Sequence, residues 1–252
     1  MRLASWFSFP NCICNNLTTV ILKCNTRKFV LIFFLFFAQF TFSEQAENDS
    51  HLPSLQKIGD AKFRFGGVII DQRNMIIEFN ATCNQRNGLI EYALVHESGK
   101  THESLFRTTI RPQILHACFL LLKHPAETRF FKNLWADNPK KLNFDKNRIN
   151  TEVVWDQNGT IFSKSLEDLA LNTKNNEVLI KGALIFTGSK KIEGTYLAEL
   201  SGSMVAVYAD EEAIVNSSHH DSNNDDVWIA NEKEMPALEL PVVIRFLLPK
   251  SD

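Results

Sequence analysis

Beyond residue 58 apolar side chains come in short runs punctuated by Gly, Asn and Asp. Residues 63–70, 75–79 and 89–96 are each rich in β-branched or aromatic side chains and end at turn formers, the pattern of short strands. Asp71-Gln72-Arg73-Asn74 predicts a hairpin turn between the first two, and Gly66-Gly67 inside the first run predicts a bulge. Asn158-Gly159, set between strand-like residues 151–155 and 160–162, is the strongest hairpin signal in the chain. Residues 178–186, 194–200, 204–208, 227–230 and 242–247 complete the strand set. The polar run Asn216-Ser-Ser-His-His-Asp-Ser-Asn-Asn-Asp-Asp226 interrupts it and reads as a mobile loop.

One segment switches to helical spacing. Residues 111–123 begin with Pro112, whose missing N–H costs nothing in a first turn, and Pro125 ends the run. Ile114, Leu115, Ala117, Cys118, Phe119, Leu120, Leu121 and Leu122 leave almost no polar face, so the helix is expected to be buried against a sheet. Ser165 is placed to cap a short helix over residues 166–171. Together these elements predict an α+β fold. It is a β-rich single domain of many short, mostly antiparallel strands, with one buried helix at about residues 111–123.

The first 43 residues stand apart. Arg27-Lys28 precedes the apolar run FVLIFFLFFAQFTF, and Thr41-Phe42-Ser43 offers small residues before Glu44. This is the pattern of a signal peptide over residues 1–43, with a long n-region. A run of this length is short for a membrane span, which takes roughly 20 apolar residues. An uncleaved N-terminal anchor is the alternative, and membrane contact then comes only through the leader. Residues 44–57 are polar and read as a linker, leaving residues 58–252 as the domain. The expected location is the periplasm or the extracellular space. Cys12, Cys14 and Cys24 fall in the leader, so the exported part keeps Cys83 and Cys118. Two cysteines on different elements form no disulfide framework.

Charge narrows the function. Arg2, Lys23, Arg27 and Lys28 are the only charged residues before residue 44, so the remainder holds 23 of the 27 basic residues and all 29 acids. A mildly acidic domain without a basic run is not a nucleic-acid binder. No Gly-x-Gly-x-x-Gly or P-loop appears, and Gly188-Ser189 and Gly202-Ser203 lack the Gly-x-Ser-x-Gly pattern of a nucleophile elbow. No cofactor signature is present.

Ionisable groups concentrate between residues 90 and 122. Read as an antiparallel hairpin through Gly99-Lys100, this stretch sets Glu97 opposite His102 and His96 opposite Glu103, the two pairs on opposite faces. Such Glu–His pairs either decorate a hairpin or form a polar site in which a carboxylate tunes an imidazole. Glu91, His102, Glu103 and His116 are the candidate site residues. His-Glu-x-x-His is absent and the spacing matches no metal signature, so no metal is assigned. His219-His220-Asp221 offers ligand-type side chains but reads as part of the solvated loop.

Glu91-Tyr92, Gly99-Lys100-x-His102-Glu103-Ser104-Leu105, Pro112 and Ile114-Leu115-His116-Ala117 resemble the YdjY-like domain family. Val153-x-Trp155, Phe186-Thr187-Gly188-Ser189, Gly194-x-Tyr196, Gly202, Trp228-x-x-Asn231, Pro236 and Pro241-Val242 extend the resemblance over residues 58–249. Two positions depart from it: Lys123 stands where a glycine is expected to close the helix, and Leu240 where Gly-Thr-like residues are expected. The resemblance implies a single domain of exported or membrane-associated bacterial proteins with His102-Glu103 as its signature, and no established reaction. The leading expectation is a non-catalytic binding module of the cell envelope that meets an unknown ligand or envelope protein. One alternative is a hydrolase-like enzyme, with or without a metal, using the His102/Glu103 cluster. The other is a structural envelope component held by an uncleaved leader.

Overall fold

The computed structural model describes residues 53–250. The leader and most of the linker lie outside this range. The strands are β1 (Gln56–Gly59), β2 (Lys62–Phe65), β3 (Val68–Asp71), β4 (Ile76–Cys83), β5 (Tyr92–His96), β6 (Ser104–Thr108), β7 (Asn150–Gln157), β8 (Thr160–Lys164) and β9 (Ala170–Asn172). They continue with β10 (Glu177–Val178), β11 (Leu184–Phe186), β12 (Lys191–Ile192), β13 (Thr195–Tyr196), β14 (Ser203–Ala206), β15 (Val215–Ser217), β16 (Trp228–Ala230) and β17 (Pro241–Leu247). Among the described residues three α-helices, α1 (Pro112–Leu121), α2 (Phe130–Leu134) and α3 (Leu197–Ser201), and two 3-10 turns, Thr101–Glu103 and Leu166–Leu169, accompany them.

Twelve strands form one mixed sheet in the order β1-β2-β3-β4-β6-β5-β14-β15-β11. It branches at β4, whose other edge takes β17, then β7, then β8. The predicted β-rich fold is therefore observed, with few helices. Register explains why β17 lies in the middle of its branch: Val242, Ile244 and Phe246 alternate into the core. On the opposite face Arg245 donates to Glu78 on β4 at 2.6 Å and to Glu152 on β7 at 3.0 Å. Asn158 and Gly159 both take positive φ and close the β7–β8 hairpin as expected.

Two turn expectations need correction. Gly66 and Gly67 are not a bulge within one strand. Both take positive φ and turn β2 into β3, pairing Phe65 with Val68. The run 63–70 is thus two strands, because glycine takes both positive-φ positions of that tight turn without strain. The larger correction concerns β5 and β6, which pair in parallel, Tyr92 with Ser104 and His96 with Thr108. No hairpin joins them, and Glu97–His102 and His96–Glu103 are not cross-strand pairs. Seven residues, 97–103, carry the chain back. Parallel connections ordinarily take a dozen or more; here a turn at residues 97–100 and a 3-10 turn over Thr101–Glu103 bring the chain back in seven. The return works because Gly99 lies against the backbone leading into β14. A Cβ at Gly99 would stand 2.7 Å from the Ser201 carbonyl oxygen.

Helix α1 sits where the 3.6-residue spacing put it, and its inner face is the core. Phe119 stacks on Phe186 of β11 at 4.4 Å and on Phe246 of β17 at 5.8 Å. It is not buried all round: Leu120 and Leu121 are 60% and 42% exposed, because the sheet covers only one side. The helix ends as a Schellman motif: the His124 N–H donates to the Phe119 carbonyl and the Lys123 N–H to the Leu120 carbonyl. Lys123 adopts φ +55°, the conformation a glycine would take freely. At the other end, Glu199 of α3 accepts from the Gln113 N–H at 2.9 Å and from Arg111 Nε at 2.6 Å. That carboxylate caps α1 from outside the helix, where its positive dipole end favours an anion. Cys83 and Cys118 are separate buried thiols. No described helix is long and apolar enough to cross a membrane.

Candidate functional site: a carboxyl pair at the β5–β6 crossover

The parallel register determines the site. Tyr92 pairs with Ser104, so the residues just before them, Glu91 and Glu103, are neighbours, and the Glu91 N–H donates to the Glu103 carbonyl at 3.0 Å. The Glu103 carboxyl lies close enough to act on that of Glu91. Partial burial, then the hydrogen bond and charge of Glu103, raise the Glu91 carboxyl from 4.5 to about 7, against an opposing pull from Lys100. His102 Nε2 lies 2.7 Å from Glu103 Oε1, while its own ring is 73% exposed. Glu103 thus stands between the His102 imidazole on one side and the Glu91 carboxyl on the other.

Next to the pair runs a second chain of polar contacts. Lys100 Nζ donates to the Tyr92 hydroxyl at 2.6 Å, and Tyr92 O–H donates to Asp210 Oδ2 at 2.7 Å. Burial, with the Asp210 carboxylate next in effect, pushes the Tyr92 phenol well above its usual range, so it stays protonated. Glu91, Tyr92, Lys100 and Asp210 open into one depression of about 390 Å3, with Glu211, Glu212 and Lys190 on its rim and Tyr208, Ile192 and Leu197 as its apolar wall. A larger trough of about 490 Å3 lies over the outer face of β4, β17 and β7. Its guanidinium, Arg107, is already held by Glu239 through both nitrogens. The smaller depression holds the carboxyl whose protonation changes near neutrality, so it is the candidate site.

Of the four residues expected there, the structure joins Glu91, His102 and Glu103. His116 is placed elsewhere: its Nδ1 shares a 2.6 Å hydrogen bond with the Tyr196 hydroxyl, and its ring packs edge-on against Phe186 and Tyr196. Burial, then the nearby Lys191 charge, lowers its pKa, so it is a neutral core imidazole that ties β13 to α1. Tyr92, Lys100 and Asp210 were missed as site residues. Tyr92 and Lys100 stand within the motif that carries the family resemblance. Asp210 begins the acidic triplet Asp210-Glu211-Glu212, the only local signal that it had.

The sequence model of the YdjY domain matches residues 68–247, most of the chain and all of the site just described. The chain belongs to the YdjY domain family. No curated protein and no solved structure shows significant similarity to it. Within this YdjY domain, Glu91-Tyr92 opens β5 and Lys100-x-His102-Glu103 forms the crossover. Of the residues behind the resemblance, Glu91, Tyr92, Lys100, His102 and Glu103 are gathered into one place by the parallel register.

Proposed function

We propose that this YdjY domain is an exported binding module of the cell envelope, periplasmic or extracellular, and that the Glu91–Glu103 depression takes a small ligand carrying an ammonium group. One feature carries the reading: two partly buried carboxyls stand side by side, and burial with Glu103 raises Glu91 to about 7, so that it keeps a proton below that pH. A cation entering there replaces that proton, so binding releases a proton and strengthens as pH rises through about 7. The lining supports it. Glu91, Asp210, Glu211 and Glu212, with Glu103 behind Glu91, outnumber Lys100 and Lys190, and the protein's own Lys100 ammonium already sits over the Tyr92 ring at 5.0 Å, with Tyr208 as a second aromatic in the wall.

A thermal-shift panel of putrescine, glucose and acetate tests the assignment. Putrescine is expected to raise the Tm of wild type, more at pH 8 than at pH 6, and to have little effect on Glu91→Gln or Glu103→Gln. A larger response to glucose or acetate, or none to putrescine, contradicts it. Export is tested by N-terminal sequencing from the native host, expected to start near Glu44; a full-length membrane-bound form contradicts it.

The same near-neutral carboxyl favours a second reading, a hydrolase-like enzyme with Glu91 as general acid–base beside Glu103 and His102. Under that reading Glu91→Gln keeps ligand and loses turnover.

A further inference from the structure

We propose that His219, His220 and Asp221 bind a divalent transition metal ion of the zinc type, at a site apart from the carboxyl depression and independent of the function proposed for it. The polar run 216–226 has the composition of a mobile loop, but it is anchored. Asn216 and Ser217 belong to β15, and Ser217, His219 and Ser222 are buried. The Trp228 indole packs edge-on beneath His219 with ring centres 5.0 Å apart, and its Nε1 donates to the Asp221 carbonyl at 3.3 Å.

One ligand atom from each of the three residues lies within 4.8 Å of the other two. Side-chain atoms that share one ion at about 2.0–2.2 Å stand roughly 3–4 Å apart, so little movement closes the set. One pair, His220 Nε2 and Asp221 Oδ2, is already at 3.3 Å. The His220 ring is 73% exposed and packs against the His219 ring with centres 4.1 Å apart, while His219 is only 7% exposed. The Asp221 N–H donates to His219 Nδ1 at 3.1 Å, which keeps the ring proton on Nε2 and leaves Nδ1 as the lone pair. A metal takes that lone pair in place of the amide proton.

The surroundings also resemble those of built metal sites, where outer groups orient the ligands. Asn172 Nδ2 and Lys174 Nζ donate to the two oxygens of Asp221 at 2.9 and 2.8 Å. Asn172 is the register partner of Trp228 in the β10-β9-β16 sheet, so the partner that orients the carboxylate and the indole under the imidazole rest on the same pair of strands. Two imidazoles and one carboxylate suit zinc and leave a position for water. Calcium and magnesium favour shells built of oxygen.

Equilibrium dialysis of the full chain against Zn2+ at pH 7.5 tests the site. Wild type is expected to take up one zinc that His220→Ala and Asp221→Asn weaken at least ten-fold. His102→Ala, which removes an exposed imidazole at the other site, is expected to bind like wild type. His220 is exposed enough for its variant to fold, which a thermal melt checks. The proposal is overturned if wild type takes up no zinc, if both loop variants bind as wild type does, or if binding is lost with His102 instead.

Discussion

Replacing Glu91 by Gln separates the shared proton from everything else at the site. The amide keeps the size of the carboxyl and, like protonated Glu91, can donate to Glu103. In wild type the folded-state pKa of Glu91 is raised from 4.5 to about 7. A raised carboxyl contributes stability that is fully present below about 4.5 and is lost as pH climbs through about 7. The whole shift corresponds to about 3 kcal/mol at 1.36 kcal/mol per unit. Glu91 is only half-buried and solvent screens part of the interaction, so about 1–2 kcal/mol is the realistic size. Urea denaturation of both proteins from pH 4.5 to pH 9 measures it. Titrations elsewhere in the protein cancel in the difference. Wild type is expected to lose about 1–2 kcal/mol relative to Glu91→Gln between pH 5 and pH 8, most of it between pH 5 and pH 7. Parallel pH profiles would falsify the shared-proton account.

Three further substitutions test the frame that holds the site. Leu122→Ala removes a buried side chain beside Phe119 and is expected to cost about 2–5 kcal/mol; an unchanged urea midpoint places the helix end outside the core. Lys123→Gly relieves a left-handed backbone at the Schellman position and is expected to stabilise the fold by about 1 kcal/mol; a loss in chemical denaturation contradicts the assignment. Gly99→Ala drives a methyl against the Ser201 carbonyl and is expected to cost about 1–3 kcal/mol and to disturb the neighbouring carboxyl pair. Wild-type stability in that variant, read by the same denaturation, would mean that the crossover has room to spare.

Local chemistry was legible in the sequence. Asn158-Gly159 specified its hairpin, and Pro112 and the apolar spacing specified α1; Lys123, which departs from the glycine expected there, nonetheless closes the helix in the left-handed conformation. Gly66-Gly67 was misread because a turn and a bulge draw on the same glycine property, and neighbouring residues do not separate them. The crossover was misread for a different reason. Strand, glycine, strand is also the pattern of a hairpin. What enforces the parallel return is the close approach of Gly99 to Ser201 and Gly202, residues far along the chain. Glu91 and Glu103 were both candidates, yet their meeting follows from that register. Asp210 reaches Tyr92 through β14 and the turn beyond it, a contact no local pattern encodes. His116 looked like a site residue because it follows the motif, but helix α1 turns it toward Tyr196 and Phe186.

The shared proton is tested most directly by 13C NMR titration of the glutamate side-chain carboxyls, with Glu91 assigned by its absence in Glu91→Gln. The account predicts a Glu91 midpoint at about 7 in wild type and a clear drop in Glu103→Gln, where the neighbouring charge is gone. A Glu91 midpoint near 4.5, unchanged by Glu103→Gln, would contradict it.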